Sequence, residues 1–252
     1  MIKVAVLGAC GKMGREVVRA VASANDMELV GACDVVAADD LGVPVDADFE
    51  TMLNRVKPNV VVDFAKPFVL GSALAALRAR AVPIIGTTGL SADELGELEK
   101  TANETGVGAM VIPNFAIGAV LMMKFSAEAA KYMPNAEIIE LHHDRKIDAP
   151  SGTAIKTAEV IEHSRRDAGV YPDKPAGGDD PARGEKRDGV QVHSVRLPGL
   201  VAHQEVLFGG QGQILTIRHD SIDRTSFMPG VLLAARKASE VRGLVYGLDR
   251  LM

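Results

Sequence analysis

Ile2-Lys-Val-Ala-Val-Leu-Gly8-Ala-Cys-Gly11-Lys-Met-Gly14-Arg-Glu-Val-Val-Arg-Ala-Val-Ala22 is the stretch that decides the fold. Ile2 to Leu7 is almost wholly apolar and stops at a glycine, the pattern of a strand buried on both faces. Glycines then recur at i, i+3 and i+6 while a helical pattern begins among them. Met27 to Cys33 reads as a second strand, and Asp34 stands at its end, about 20 residues beyond the last glycine. Strand, glycine turn, helix, strand and terminal acid make a dinucleotide-binding βαβ unit. The turn lets a pyrophosphate approach the backbone, and the helix start offers it N–H donors. Asp34 is placed to accept hydrogen bonds from the adenosine ribose. The spacing is G-x-x-G-x-x-G in place of the usual G-x-G-x-x-G, so the acid and the context carry the reading as much as the glycines. Val35 follows Asp34 with no arginine to receive a 2′-phosphate. NADH is therefore the expected cofactor, with NADPH left open because Lys12 lies within reach of a phosphate.

The same alternation continues. Asn59 to Phe64 reads as a strand running into the loop Ala65-Lys-Pro67, and Phe68 to Arg80 as a helix. Val82 to Ile85 is a strand that empties into Gly86-Thr87-Thr88-Gly89. Ser91 and Glu94 form a capping box for the next helix. Gly108 to Ile112 is a strand ending at Pro113-Asn114-Phe115. Polar or small-residue loops thus follow each strand, and in an open parallel sheet those carboxyl ends form the ligand crevice.

After Phe115 the pattern changes. Ile117 to Tyr132 is an apolar helix whose methionines read as core or subunit interface. Ala136 to Leu141 is a strand that leads into His142-His143-Asp-Arg-Lys146-Ile-Asp-Ala-Pro-Ser151-Gly152-Thr153, and Ser151 to Asp167 is a helix. Two imidazoles and an ammonium group ahead of a helix start suit both carboxylate binding and proton transfer. A solvated loop with a capped helix behind it is the competing reading. Residues 168–189 form a long polar loop, and Val190–Arg196, Ala202–Leu207 and Gln213–His219 alternate as strands with one wet face. With 136–141 they would build an open mixed sheet. Ser226 to Val241 reads as a closing helix and the residues from Gly243 as a short tail.

Composition narrows the classes. The 252 residues are 47% hydrophobic with a net charge of −5, and no basic cluster marks a nucleic-acid partner. No apolar run is long enough for a membrane span, and no secretory signal is apparent. Two cysteines, Cys10 and Cys33, suit a reducing cytoplasm. Adjacent His142 and His143 would point apart in extended chain and lack a third ligand at suitable spacing, so no metal is expected.

Gly8-Ala-Cys-Gly-Lys-Met-Gly14, Gly86-Thr-Thr-Gly89, Asn114-Phe-Ala-Ile-Gly118, His142 to Thr153 and His219 to Phe227 together resemble the dihydrodipicolinate reductase family, over essentially the whole chain. The run His-His-x-x-Lys-x-Asp-Ala-Pro-Ser-Gly-Thr is the most specific part. The resemblance implies hydride transfer from a nicotinamide cofactor to a cyclic, unsaturated imine dicarboxylate in lysine and diaminopimelate biosynthesis. It implies that His142 and Lys146 are the proton-transfer residues and that His143, Ser151, Gly152, Thr153 and Arg224 hold the substrate carboxylates. It assigns cofactor contacts to Gly8, Ala9, Cys10, Gly11, Lys12, Met13, Asp34, Phe64, Gly86, Thr87, Thr88, Ile112, Pro113, Asn114 and Phe115. It also implies a homotetramer. Ala65 departs from the family, where a threonine is usual after Asp-Phe.

The expected architecture is α/β: a doubly wound, Rossmann-type parallel sheet over residues 1–112, joined by the C-terminal segment 218–252. An α+β substrate unit with an open mixed sheet spans 113–217 and is also the expected oligomerisation unit. Closure of the two halves would bring nicotinamide to the 142–153 loop and exclude water. Two alternatives are another NAD(P)-dependent dehydrogenase of a small dicarboxylate and a non-catalytic NAD(H)-sensing protein. The second gives no reason for His142 and Lys146 to occur together.

Overall fold

The computed structural model describes residues 1–66, 69–87, 89–173 and 181–252. Pro67, Phe68 and Thr88, and Pro175, Gly177 and Gly178 of the long loop, lie outside the described residues. Two compact units are present: Met1–Ala116 with Phe227–Met252, and Ile117–Ser226. The divisions fall a few residues beyond those drawn from patterning, because Phe115 and Ala116 are buried with the first unit and the last long strand of the second runs on to Ser221.

The first unit contains strands β1 (Ile2–Leu7), β2 (Met27–Cys33), β3 (Val45–Asp46), β4 (Val60–Asp63), β5 (Val82–Ile85) and β6 (Ala109–Val111). Its helices are α1 (Lys12–Ala22), α2 (Phe49–Val56), α3 (Val69–Arg78) and α4 (Ala92–Thr105). The sheet is wholly parallel, and Val4, Ala5, Val6, Val60, Val62, Ile84 and Ile85 are completely buried in it. That burial explains why these strands read as unbroken apolar runs. The α4 capping box forms as expected.

The second unit begins with α5 (Ile117–Ala130), β7 (Asn135–His142) and α6 (Gly152–Ala168). Then come β8 (Glu185–Arg187), β9 (Val190–Arg196), β10 (Ala202–Gly210) and β11 (Gln213–Ser221). The order β11-β10-β7-β9-β8 is antiparallel except for the β7–β9 pair, so β7, α6 and β9 form a parallel crossover within a mixed sheet. Ile138, Val190, Val192, Val206 and Phe208 pack with Met122, Ala154, Ala158 and Ile161 in one core. By strand alternation the opposite face carries Ile139, Leu141, Leu207 and Ile214, the last 78% exposed.

The C-terminal segment differs from its sequence reading. In place of one helix there is a 3₁₀ turn at Arg224–Phe227, then α7 (Met228–Lys237), then a second 3₁₀ turn at Ala238–Glu240. The tail is not irregular: β12 (Leu244–Tyr246) adds to β6 as a seventh parallel strand between two glycines of positive φ, Gly243 and Gly247. A three-residue strand is too short to show a period, and its edge position is decided by β6. The same reason hides β3 and β8, the latter inside the stretch read as a loop. No helix among the described residues is long and apolar enough to cross a membrane.

Candidate functional site

In the first unit the glycine turn is built by packing as much as by ligand approach. A Cβ on Gly14 would lie 2.0 Å from the Gly8 carbonyl oxygen and 2.7 Å from Ala9 Cα. Gly8 has φ +78° and would press its Cβ to 3.0 Å from the Ala65 nitrogen. Gly11 is different: its Cβ would meet only the Gly8 oxygen, at 3.3 Å, and it caps α1 with no side-chain bond to the helix start. The exposed N–H donors there fit a pyrophosphate. Ala9 is fully buried and its N–H donates to the Cys33 carbonyl at 3.3 Å, so it shapes the turn.

Asp34, at the end of β2, is held by backbone donors. Its carboxylate accepts from the Cys10 N–H at 2.8 Å and from the Val36 N–H at 3.1 Å. Arg15, unmarked by the sequence reading, donates to the Cys10 carbonyl at 3.2 Å and pairs with Asp40 at 2.6 Å. Only the fold brings that partner, 25 residues away, back to the turn.

The far side of the crevice is aromatic. Phe64 and Phe115 rings lie 5.7 Å apart at 51°. Gly86 has no room for a Cβ, which would sit 2.2 Å from Phe64 Cε1. Beside it, the Thr87 hydroxyl is buried without a hydrogen-bond partner among the described residues, at the place the resemblance assigns to cofactor. Asp63 at the end of β4 accepts from Ala65 N–H and Ser72 Oγ, and burial pushes its carboxyl up despite these bonds. Asn114 Oδ1 accepts from the Ala116 N–H at 2.9 Å, Pro113 is exposed, and Ile112 is fully buried with its N–H donating to the Ile85 carbonyl at 2.9 Å. The residues present fit a dinucleotide. Both thiols are held protonated: burial and then Asp34 push Cys10 up, and burial pushes Cys33 to about 11. Neither is an activated nucleophile.

The second unit gathers the other group at the carboxyl ends of its two parallel strands. His142 ends β7 and lies in register with Arg196, which ends β9. Glu140, two residues before His142 and so on the same face of the strand, is completely buried. Its Oε2 accepts from His142 Nδ1 at 2.5 Å and Arg196 Nη1 at 2.9 Å; its Oε1 accepts from Arg196 Nη2 at 2.8 Å and the Ser151 N–H at 3.1 Å. Burial alone would push this carboxyl up, but hydrogen bonds from His142, Arg196 and Ser194 outweigh it and hold the group at about 2.

Ser151 is buried and caps α6, its Oγ accepting from the Ala154 N–H at 3.2 Å. A Cβ on Gly152 would meet nothing within 4 Å, so packing does not require that glycine. Lys146 pairs with Asp148 through both carboxylate oxygens, at 2.8 and 2.7 Å. His143 is half-buried, and Thr153 lies in the first turn of α6. Arg224 is exposed in its 3₁₀ turn and takes no part in the Glu140 network. Sequence reading missed Glu140, Arg196 and Asp148. A charged residue at i−2 from His142 inside an apolar strand was the available signal. Arg196 lies 56 residues from Glu140 and had none.

A doubly wound dinucleotide unit joined to a mixed-sheet unit with a histidine, a lysine and a capped helix start defines a pyridine-nucleotide-dependent oxidoreductase. Residues 2–115 match the family model for the dihydrodipicolinate reductase N-terminus and residues 118–252 that for its C-terminus. The chain belongs to the dihydrodipicolinate reductase family. It is 49% identical to a 4-hydroxy-tetrahydrodipicolinate reductase of Desulfitobacterium hafniense, covering 100% of this chain and 98% of the relative. It is 50% identical to one of Syntrophomonas wolfei, covering 99% and 98%. A dipicolinate-bound dihydrodipicolinate reductase from Paenisporosarcina sp. TG-14 superposes with TM-score 0.86 at 44% identity, covering all of both chains. A myo-inositol 2-dehydrogenase from Lactobacillus plantarum shares the fold alone, at 13% identity and TM-score 0.60 over 99% and 93% of the chains.

Proposed function

We propose that this chain reduces dihydrodipicolinate, formed from 4-hydroxy-tetrahydrodipicolinate, to tetrahydrodipicolinate in lysine and diaminopimelate biosynthesis. The observation that carries the reading is the gathering of His142, the Lys146 loop and the start of α6 at one edge of the second sheet. A bound nicotinamide supplies hydride to the substrate ring. His142 and Lys146 supply the accompanying proton, His142 as the imidazolium and from its Nε2 because Nδ1 is committed to Glu140. The Ser151 hydroxyl and the Gly152 and Thr153 backbone, with His143 and Arg224, hold the two carboxylates. A dicarboxylate arriving near Lys146 competes with Asp148 for the ammonium group, which Asp148 keeps paired until substrate binds.

In the first unit Gly8, Ala9, Cys10, Gly11, Lys12 and Met13 meet the pyrophosphate and Asp34 the ribose. Phe64, Gly86, Thr87, Thr88 and the segment Ile112–Phe115 line the nicotinamide end. NADH is preferred: Val35, 95% exposed after Asp34, offers no charge to a 2′-phosphate, and Lys12 gives NADPH a secondary hold. The outer face of the second sheet, where Ile139, Leu141, Leu207 and Ile214 stand among Glu137, Glu205 and Arg218, supports assembly as a homotetramer, and the free thiols suit the cytoplasm.

The test is a turnover assay with freshly generated substrate, following loss of reduced-cofactor absorbance and identifying the product by mass spectrometry. Turnover with NADH exceeding that with NADPH is expected. No turnover with either cofactor would overturn the reading. Light scattering should give the mass of four chains; a monomer would remove the assembly.

A further inference from the structure

The reduction proposed above assigns no task to the most deeply buried charge in the second unit. Glu140 is completely buried, yet both of its oxygens accept hydrogen bonds from donors that cannot be removed by a tautomer change: two from the Arg196 guanidinium and one from a main-chain N–H. A carboxyl so surrounded by donors has no room to carry a proton itself. Ser194 adds a further hydrogen bond. The bond to His142 Nδ1 must therefore be donated by the ring, and the acting nitrogen is Nε2. Arg196 extends the same hold in the other direction. Its Nη2 also donates to the Asp148 carbonyl at 2.7 Å, and its Nη1 to the Val195 carbonyl at 2.8 Å. The guanidinium is thus a clamp between the end of β9, the end of β7 and the segment that enters α6.

Resting on the assignment of His142 as proton donor, we propose that Glu140, locked by Arg196, is a positioning residue for the reaction. It keeps a proton on His142 Nδ1, so that Nε2 is the nitrogen that takes up a proton from solvent and, from the imidazolium, gives it to the substrate. Through the Ser151 N–H it also ties that ring to the helix start where a substrate carboxylate is held. A bond at each end of one carboxylate sets the distance between proton donor and anion anchor, which is the geometry on which transfer to a bound dicarboxylate depends. A separate scaffold role would need neither the ring nor the Ser151 N–H on the same group.

Removing Glu140 alone strands a buried guanidinium, so the informative variant is Glu140→Gln with Arg196→Gln, in the full chain. It should fold, as read by circular dichroism and thermal midpoint, and bind NADH with the Kd of the unsubstituted chain. Its kcat should fall on the order of 10²-fold, as for loss of an acid–base group, with a smaller rise in KM. A role confined to holding the fold would leave kcat in the folded variant within about twofold, which would overturn the proposal. Nitrogen-15 NMR of histidine-labelled protein, with the His142 signal identified by its loss in His142→Gln, gives an answer independent of turnover and of whether the double variant folds. A ring with a proton on Nδ1 in the unsubstituted chain, whether Nε2 is bare or also protonated, supports the proposal; a ring protonated on Nε2 with bare Nδ1 refutes it. If His142→Gln loses activity while the folded double variant keeps it, positioning by Glu140 fails and His142 stands as proton donor. If His142→Gln keeps full kcat, the proton-donor reading fails, and the tautomer measurement still decides whether Glu140 fixes the ring.

Discussion

Replacing Glu140 by glutamine should change how the protein responds to acid as well as how it turns over. The carboxyl is held at about 2 against 4.5 for an ordinary glutamate. A folded-state value below the unfolded one means that the unfolded chain binds the proton more readily. The group therefore stabilises the fold fully above the unfolded value and loses that contribution as pH falls toward the folded one. At ~1.4 kcal/mol for each tenfold difference in proton affinity, the contribution at neutral pH is about 3 kcal/mol. Roughly 2 kcal/mol of it should be gone by pH 3. Glu140→Gln lacks this titration and leaves Arg196 without its counter-charge; this is the same interaction seen from the partner, and it agrees with the order of 3–5 kcal/mol for breaking a buried pair. Urea unfolding followed by far-ultraviolet circular dichroism should show the variant less stable by about 3 kcal/mol at pH 7, the gap narrowing steadily between pH 5 and pH 3. Exposed carboxylates such as Asp26 and Asp223 are also held low by their partners, but they titrate alike in both proteins and cancel in the difference. A gap that stays constant over this range would refute the claim that Glu140 is ionised and bound by its donors.

Three further outcomes follow from the geometry. Gly152→Ala should leave the thermal midpoint unchanged, since its Cβ meets nothing within 4 Å, yet raise KM for the dicarboxylate; an unchanged KM would remove Gly152 from the anion anchor. Gly14→Ala forces a Cβ to 2.0 Å from the Gly8 oxygen and should destabilise the protein by about 1–3 kcal/mol or more, whereas Gly11→Ala should fold normally and weaken NADH binding; calorimetry on the pair separates packing from ligand approach. Val35→Arg places a cation beside the adenosine ribose and should shift the NADH-to-NADPH Kd ratio toward NADPH by about tenfold, ~1.4 kcal/mol; equal ratios before and after would mean that another group already receives the phosphate.

Much of the first unit was legible because its strands are buried on both faces and so appear as short apolar runs closed by glycine or acid. Asp34 could be placed from sequence for the same reason, since it ends such a run. The strands that escaped, β3, β8 and β12, are two or three residues long and exist because a neighbouring edge pairs with them. The closing helix was drawn too long because its apolar period continues through Ala238, although the backbone tightens there into a 3₁₀ turn. In the second unit the loop His142–Thr153 was visible as a cluster of polar chemistry, and its helix cap as a serine. What holds the loop was not visible. Glu140 meets Arg196 only through the β7–β9 register, and Lys146 meets Asp148 within a turn whose conformation no local pattern specifies. Pairings of this kind are long-range or irregular, and neither periodicity nor motif spacing encodes them.

The account stands or falls on the division between a cofactor unit and a proton-delivering loop in the other unit. The most direct test is to measure kcat and the NADH Kd together for His142→Ala and Lys146→Ala. The account predicts a fall in kcat on the order of 10²-fold or more in each, with the NADH Kd unchanged. Undiminished kcat in both variants would contradict it.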